Sequence, residues 1–262
     1  TFVRRVHAVL QAALKQAVKE RLIPYNPCEN CRIPPKDKKE MTILPPEKIG
    51  RYLQEAEKYG VLPMFYLELS SGLRRGELLA LQWEDLNVKE RILTVNKQVT
   101  RMEGELDVTE PKTKNSVRKV ALSQQAVDLL VQEHEQHPDN PILFPSPRTG
   151  GYWSPDAVSR INRKLLKNAG IEKHVRFHDL RHTFATMAIS SGVDVKTLSS
   201  MLGHYSAGFT LDTYTHITND MQRGAAEKIG GFMESVTATT SPEPPDPPEE
   251  SRCKVIPFEK VG

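Results

Sequence analysis

Cysteine is scarce, with 3 residues in a chain of 262. So low and odd a count argues against a disulfide scaffold and for a reducing compartment. Cys28 and Cys31 form C-x-x-C, half the ligand set of a zinc site. Cys253 stands alone and supplies no second half, so the pair reads as a coincidence within a linker. No apolar run is long enough to span a bilayer, and no charged start with an apolar core marks a secretory leader. There is no G-x-x-x-x-G-K-[ST] loop to cradle nucleotide phosphates and no Asp/Glu cluster to hold a pair of metal ions. The chain opens on Thr1 rather than Met and reads as a fragment or a processed product.

What is present is an ordinary globular composition, 38% hydrophobic and 26% charged. The length allows one large domain or one and a half. The net charge of +3 is mild, but it is unevenly placed. From Val236 onward Glu243, Asp246, Glu249, Glu250 and Glu259 outnumber Arg252, Lys254 and Lys260, so the body is more basic than the whole. A basic body with an acidic tail is expected of a protein whose body faces phosphate.

Val6, Val9, Leu10, Ala13, Leu14, Ala17, Val18 and Leu22 recur at helical spacing and predict an amphipathic helix over 2–22, ended by Pro24 and Pro27. One such helix cannot bury its own stripe, so residues 1–27 read as the last helix of a truncated domain. Residues 28–41, with Pro34, Pro35, Lys36, Lys38 and Lys39, read as a basic linker, either solvated or a strap across a DNA backbone. A helix is predicted from Pro46 to a stop at Gly60, then an apolar segment from Pro63 to Leu69 ending in a break at Gly72, then a helix from near Arg75. Residues 91–121 alternate and predict a small antiparallel sheet. Its marks are Ile92, Thr94 and Val95, a turn at Glu103-Gly104, Leu106 and Val108, and the run Val117 to Leu122. Pro111 to Ser116 reads as a polar hairpin tip between the last two strands. Further helices are predicted near 123–136, 154–169, 178–191, 194–202 and 220–234, with a shorter one around Tyr214. The tail, 236–262, is acidic and Pro-rich and is expected to be disordered, with an apolar tip at Val255, Ile256 and Phe258. The expected fold class is mainly α with a small antiparallel β-sheet (α+β).

In Phe177-His178-Asp179-Leu180-Arg181-His182 a helix sets His178 beside Arg181 and His182. Two His four apart invite a zinc peptidase reading. Asp179, however, holds the place of the Glu which that motif requires, and Arg181 would set a cation beside the metal. A guanidinium beside an imidazole suits a phosphate better, binding two oxygens in a fork while the ring moves a proton. A second arginine is wanted, because a pentacoordinate phosphorus carries extra negative charge. Gly72-Leu73-Arg74-Arg75-Gly76-Glu77 offers Arg74 just past a glycine break, although an Arg beside a Glu is by itself usually a solvated pair. Leu202-Gly203-His204 and Thr213-Tyr214-Thr215-His216 add a histidine and a tyrosine that singly would read as packing.

In order, G-L-R-R-G-E, a hairpin lysine, H-D-L-R-H, L-G-H and L-D-T-Y-T-H resemble the catalytic domain of the tyrosine recombinase (phage integrase) family. Within it they look most like integrases of phages and conjugative transposons, over about residues 41 to 234. The resemblance implies that family's catalytic fold for 42–235 and the end of a core-DNA-binding domain for 1–27. By position it makes Arg74 the first catalytic arginine, Lys112 the catalytic lysine, and His178 and Arg181 the H-x-x-R pair. It makes His204 the second histidine, Tyr214 the nucleophile and Glu77 a buttress. Lys114, two residues on, stays open as an alternative to Lys112. The loop from His204 to Tyr214 is one residue longer than in many members. Tyr205, which directly follows His204, is too close in sequence to reach the same phosphate.

The implied activity is site-specific DNA recombination through a 3′-phosphotyrosyl bond. That bond keeps the energy of the broken phosphodiester, so no ATP and no other cofactor is expected, and arginines stand in for a metal. A free tyrosine has a pKa near 10, so making phenolate at neutral pH costs about 4 kcal/mol. The family gives the proton to His178, lets His204 bond the phosphate, and lets Lys112 protonate the leaving 5′-oxygen. Implied partners are double-stranded DNA, three further copies in a homotetramer on synapsed sites, and accessory DNA-bending or excision factors. The implied location is the bacterial cytoplasm with its DNA, away from membranes. Contacts to DNA, mostly to phosphate, are expected from Lys36, Lys38, Lys39 and Lys114, and from Arg160, Asn162, Arg163 and Lys164 on one helix. Two other readings are a type IB topoisomerase-like relaxing enzyme and a helix-turn-helix regulator built on Val193 to His204. The regulator leaves Arg74, Lys112 and Tyr214 unexplained. The segment Cys253 to Phe258 is read either as docking on a neighbouring protomer or as inert.

Overall fold

The computed structural model describes residues 2–35, 42–102, 104–109, 117–204, 206, 208, 210, 211, 214 and 226–236. Lys36, Lys38, Lys39, Lys112, Lys114, Tyr205 and the tail segment Cys253 to Phe258 lie outside the described residues.

Helix α1 (Phe2–Lys19) ends before Leu22 because Arg21 turns left-handed, with φ 59°. None of its residues is buried, and Val3, Val6, Val9 and Leu10 are exposed. The chain after it folds back along it. The Asn26 amide donates to the Gln11 carbonyl (3.2 Å), and the His7 ring meets the Cys28 carbonyl (3.3 Å). Cys28 is thereby buried while Cys31 stays exposed, so the two thiols do not share an environment. Among the described residues no group of three or more His, Cys, Asp or Glu gathers as metal ligands would.

The body is built mostly of helices. Helix α2 (Pro46–Lys58) starts on a proline and stops at Gly60, with φ 65°, as its sequence predicts. Helix α3 (Leu62–Ser71) ends on Gly72, with φ 60°, and α4 (Arg75–Ala80) follows at once. A 3-10 turn, Trp83–Asp85, leads into β1 (Leu86–Asn87) and β2 (Ile92–Val95). Strands β3 (Gln98–Met102), β4 (Glu105–Thr109) and β5 (Arg118–Ala121) come next. Helices α5 (Gln124–Glu135), α6 (Pro155–Asn168), α7 (Phe177–Ser190) and α8 (Val195–Leu202) complete the body. Phe65 of α3 takes Tyr52 of α2 and Phe177 of α7 edge-on, at 5.9 and 5.7 Å between centroids. A second, smaller core joins Phe184, Ala185 and Ile189 of α7 to Leu198 and Leu202 of α8, and Tyr214 fills it. Residues 226–236 are helical, with Ile229, Phe232, Met233 and Val236 exposed along one stripe. No helix among the described residues is long and apolar enough to cross a membrane.

The single sheet expected over 91–121 is two. Strands β1, β2 and β5 form one antiparallel sheet, and β3 and β4 pair separately. The break falls at Asn96-Lys97. There the Lys97 ammonium is drawn to Asp85 (3.1 Å) and the Gln82 amide oxygen (2.5 Å), which diverts the chain. Strand β3 then packs on α4, where a Cβ at Gly76 would lie 2.7 Å from the Val99 carbonyl oxygen. Strands β4 and β5 therefore belong to different sheets. The segment from Pro111 to Ser116, read from the sequence as a hairpin tip, lies outside the described residues.

Candidate active site

Two helices begin at the site in the same way. At α4 the Glu77 carboxylate accepts the backbone N–H of Arg74 (2.8 Å) and pairs with its guanidinium (2.8 Å). At α7 the Asp179 carboxylate accepts the Arg176 N–H (2.7 Å) and pairs with its side chain (2.7 Å). An acid three residues into the helix closes each N-terminus and fixes the preceding arginine. Arg75 turns the other way and bonds the Ser159 hydroxyl of α6 (2.7 Å), so the two consecutive arginines divide between site and scaffold.

The far end of α8 gathers three guanidinium groups. Arg118 donates to the Met201 carbonyl (2.7 Å), Arg181 to Leu202 (2.7 Å) and Arg74 to Gly203 (3.0 Å). These carbonyls close a helix whose C-terminal dipole attracts cations. Gly203, with φ 63°, turns the backbone so that they face the arginines. Arg181 also donates to the Gly72 carbonyl (2.6 Å), which pins α7 to the end of α3. Arg118 grips Glu77 with two bonds, of 3.0 and 2.8 Å. The second acid nearby, Glu68, is fully buried, its two carboxyl oxygens have no hydrogen-bond partner among the described residues, and burial pushes its carboxyl well above the usual carboxylate range. Three guanidinium groups thus gather around the Glu77 carboxylate. The pocket keeps an excess of positive charge, and burial with Arg74 alongside pushes Arg181 down to about 10.

Three imidazoles line this pocket. Partial burial and then Arg181 lower His178 from the usual histidine range. Burial, then Arg181 and Arg74, lower His204 to about 4, and its Nδ1 is held by the Thr210 hydroxyl (2.8 Å). Burial and His178 lower His182 to about 4. All three shifts favour the neutral ring, which keeps a nitrogen lone pair able to accept a hydrogen bond or a proton. Nδ1 of His182 lies 2.9 Å from the Tyr214 hydroxyl, and His178 packs edge-on against His182 at 5.1 Å. Tyr214 is 1% exposed, and burial raises its phenol to about 12 although Arg181 acts in the opposite sense. Ionising it unaided at neutral pH would cost about 7 kcal/mol. An arginine cluster, neutral imidazoles and a phenol in contact with one of them form an arrangement suited to attack on a phosphodiester.

The profile of the phage integrase family matches residues 44–221, more than half of the chain. The chain belongs to the phage integrase family. The ICEBs1 integrase of Bacillus subtilis (strain 168) is 30% identical over 244 residues, covering 88% of this chain and 66% of that protein. A XerC-like tyrosine recombinase of Caldanaerobacter subterraneus is 28% identical over 259 residues, with the same coverage of 88% and 66%. The chain therefore spans 66% of the length of these curated relatives. Among solved structures, the Tn1549 transposon integrase in complex with a circular intermediate DNA shares the fold. Its TM-score is 0.75 at 22% identity, over 86% of this chain and 78% of that one.

Of the residues expected from resemblance to this family, the structure brings Arg74, Glu77, His178, Arg181, His204 and Tyr214 to one pocket. Lys112 and its alternative Lys114 lie outside the described residues. Two members of the pocket escaped the sequence reading. Arg118 looks like any strand arginine until β5 lies beside α8. His182 stood inside the H-D-L-R-H motif but was given no role. On α6, Arg160, Arg163 and Lys164 are exposed, but Asn162 is not. It is 1% exposed, accepts from the Tyr52 hydroxyl (2.7 Å) and donates to the Val175 carbonyl (3.0 Å), so it braces the core and cannot face DNA. One residue from Arg163, it sits roughly 100° around the helix. Lys164 lies over the Tyr59 ring at 4.7 Å, whereas Arg163 lines a cleft with Arg75, His174, Arg176 and His178. Family membership does not favour the topoisomerase-like or regulator readings. Helix α8, the heart of the regulator reading, gives its last carbonyls to the pocket's arginines.

Proposed function

We propose that the chain is the catalytic part of a site-specific DNA recombinase that cleaves and rejoins strands through a 3′-phosphotyrosyl intermediate. The observation that carries this reading is the Tyr214 hydroxyl, bonded at 2.9 Å to a histidine that directly follows Arg181 on α7. Arg181, with Arg74 and Arg118, supplies positive charge for a phosphate. Tyr214 is the nucleophile, Arg74 and Arg181 bind the non-bridging oxygens, and His204 adds a hydrogen bond. Lys112, or Lys114 two residues on, protonates the leaving 5′-oxygen. Glu77 buttresses Arg74. The phosphotyrosyl bond conserves the energy of the broken one, so the reaction needs neither ATP nor metal.

The partner is double-stranded DNA, held largely through its phosphates by Arg160, Arg163 and Lys164, with the basic linker at Lys36, Lys38 and Lys39 crossing the backbone. The protein works as a homotetramer on synapsed sites, with accessory DNA-bending or excision factors, in the bacterial cytoplasm. The exposed stripe at Ile229, Phe232, Met233 and Val236 supports subunit contact, since apolar rows of this kind are covered in assemblies. The test uses a random-sequence library of nicked duplexes in EDTA without ATP. A covalent protein–DNA adduct should form with the wild type and vanish in Tyr214→Phe. An adduct that requires Mg²⁺, or that survives in Tyr214→Phe, overturns the reading.

A further inference from the structure

We propose that His182, not His178, takes the proton from Tyr214 during strand cleavage and returns it when the strands are rejoined. The inference rests on the recombinase reading above and assigns a step within it. Among the described residues Nδ1 of His182 is the one hydrogen-bond partner of the Tyr214 hydroxyl, at 2.9 Å. The phenol is 1% exposed, so its proton cannot pass straight to bulk water and must go to a group in contact. His178 contacts the His182 ring, at 5.1 Å between centroids. His182 lies on the same helix as Arg181, so one rigid element carries both the phosphate ligand and the proton acceptor.

The step balances as follows. The bond from the Tyr214 oxygen to phosphorus forms as the bond from phosphorus to O5′ breaks. The phenol proton moves to Nδ1 of a neutral His182 that carries its own hydrogen on Nε2, leaving an imidazolium. O5′ takes a proton from the lysine named above, Lys112 or Lys114. On rejoining, the 5′-hydroxyl attacks phosphorus, its proton returns to the lysine, and the imidazolium reprotonates the departing phenolate. In the empty pocket burial, His178, Arg181 and Arg176 all weaken His182 as a base, while Asp179 acts the other way. A docked phosphate sets negative charge against those arginines and so offsets their share of the effect when the substrate is present.

The experiment uses the full chain and the duplex that the wild type captures covalently from the nicked library. Adduct formation is timed for the wild type, His182→Ala, His182→Asn and His178→Asn, each with tyrosine or a more acidic fluorotyrosine at position 214. Asparagine keeps a hydrogen-bonding group near the Nδ1 position but cannot hold the proton, and it carries the test if the alanine variant fails to fold. His182→Asn should slow adduct formation by about 10²–10⁴-fold at unchanged DNA affinity, and fluorotyrosine should recover at least about tenfold in that variant but little in the wild type. Wild-type speed in His182→Asn overturns the proposal. So does a loss that the acidic phenol does not relieve, and so does recovery in His178→Asn alone. A wild type that forms no adduct, or an adduct that survives Tyr214→Phe, sinks the recombinase reading itself and this assignment with it.

Discussion

Glu77 and Glu68 lie close together and titrate in opposite directions. Burial alone would raise Glu77, but hydrogen bonds and charge from Arg118 and Arg74 outweigh it and hold the carboxyl low. The folded value is then below the unfolded one, near 4.3. Its stabilisation is complete above that range and is lost as pH falls through the folded value. Glu77→Gln leaves the buried Arg118 guanidinium without its counter-ion, at a cost of roughly 3 kcal/mol. Urea unfolding at pH 7 should show that loss, and the variant should be less sensitive than the wild type to acidification. Strand cleavage should drop with it, because Arg74 loses the carboxylate that aims it. Glu68 is the reverse case, raised by burial with both oxygens unbonded. It costs nothing extra below the unfolded carboxyl range, and the penalty grows as pH rises from there toward the folded value. Glu68→Leu should therefore stabilise the fold by about 1–3 kcal/mol, with a wider gap at pH 8 than at pH 5. A variant less stable than wild type at both pH values would mean that the Glu68 carboxyl makes a stabilising contact in the folded protein.

At the scale of elements, the site is made where four helix ends meet, the starts of α4 and α7 and the ends of α3 and α8. Helices α3 and α8 both close on left-handed glycines, and each turns carbonyls onto Arg181. Gly72 cannot be replaced cheaply. Its φ is 60°, and an added Cβ would collide with the Phe184 ring and lie 2.9 Å from Leu202. Gly72→Ala should cost about 2 kcal/mol or more, read as a lower thermal midpoint. It should also slow cleavage beyond what the stability loss explains, because the Arg181 anchor moves. These ends show what the sequence could and could not disclose. His178 and Arg181 are legible because one helical turn joins them, and Arg74 because a glycine break precedes it. The proline start and glycine stop of α2 are equally local. Arg118 is not legible, because its value lies in a strand lying beside α8, more than eighty residues away. The split into two sheets was hidden for the same reason. Lys97 is diverted by Gln82 and Asp85, a contact that alternation of apolar residues does not encode.

For the whole molecule, charge placement matters more than net charge. The chain carries only +3, yet cationic side chains converge on the pocket and on the adjoining cleft of Arg75, Arg163, His174, Arg176 and His178. If a DNA backbone runs across both, each cation that meets a phosphate releases counter-ions and steepens the dependence of affinity on salt. Two neighbours on α6 separate this from mere stability. Arg163 is exposed on the cleft, so Arg163→Ala should weaken DNA binding across sequences and lower the salt slope by about one, with the fold intact. Asn162 is buried between Tyr52 and Val175, so Asn162→Ala should destabilise by about 1–3 kcal/mol and leave the salt slope unchanged. Fluorescence titrations between low and moderate salt, paired with thermal unfolding, read both quantities. A salt slope that drops for Asn162→Ala and not for Arg163→Ala would place the DNA on another face. The pocket would then have to receive its phosphate from the side of β3 and β4, where Arg101 is already paired with Asp156 at 3.0 Å.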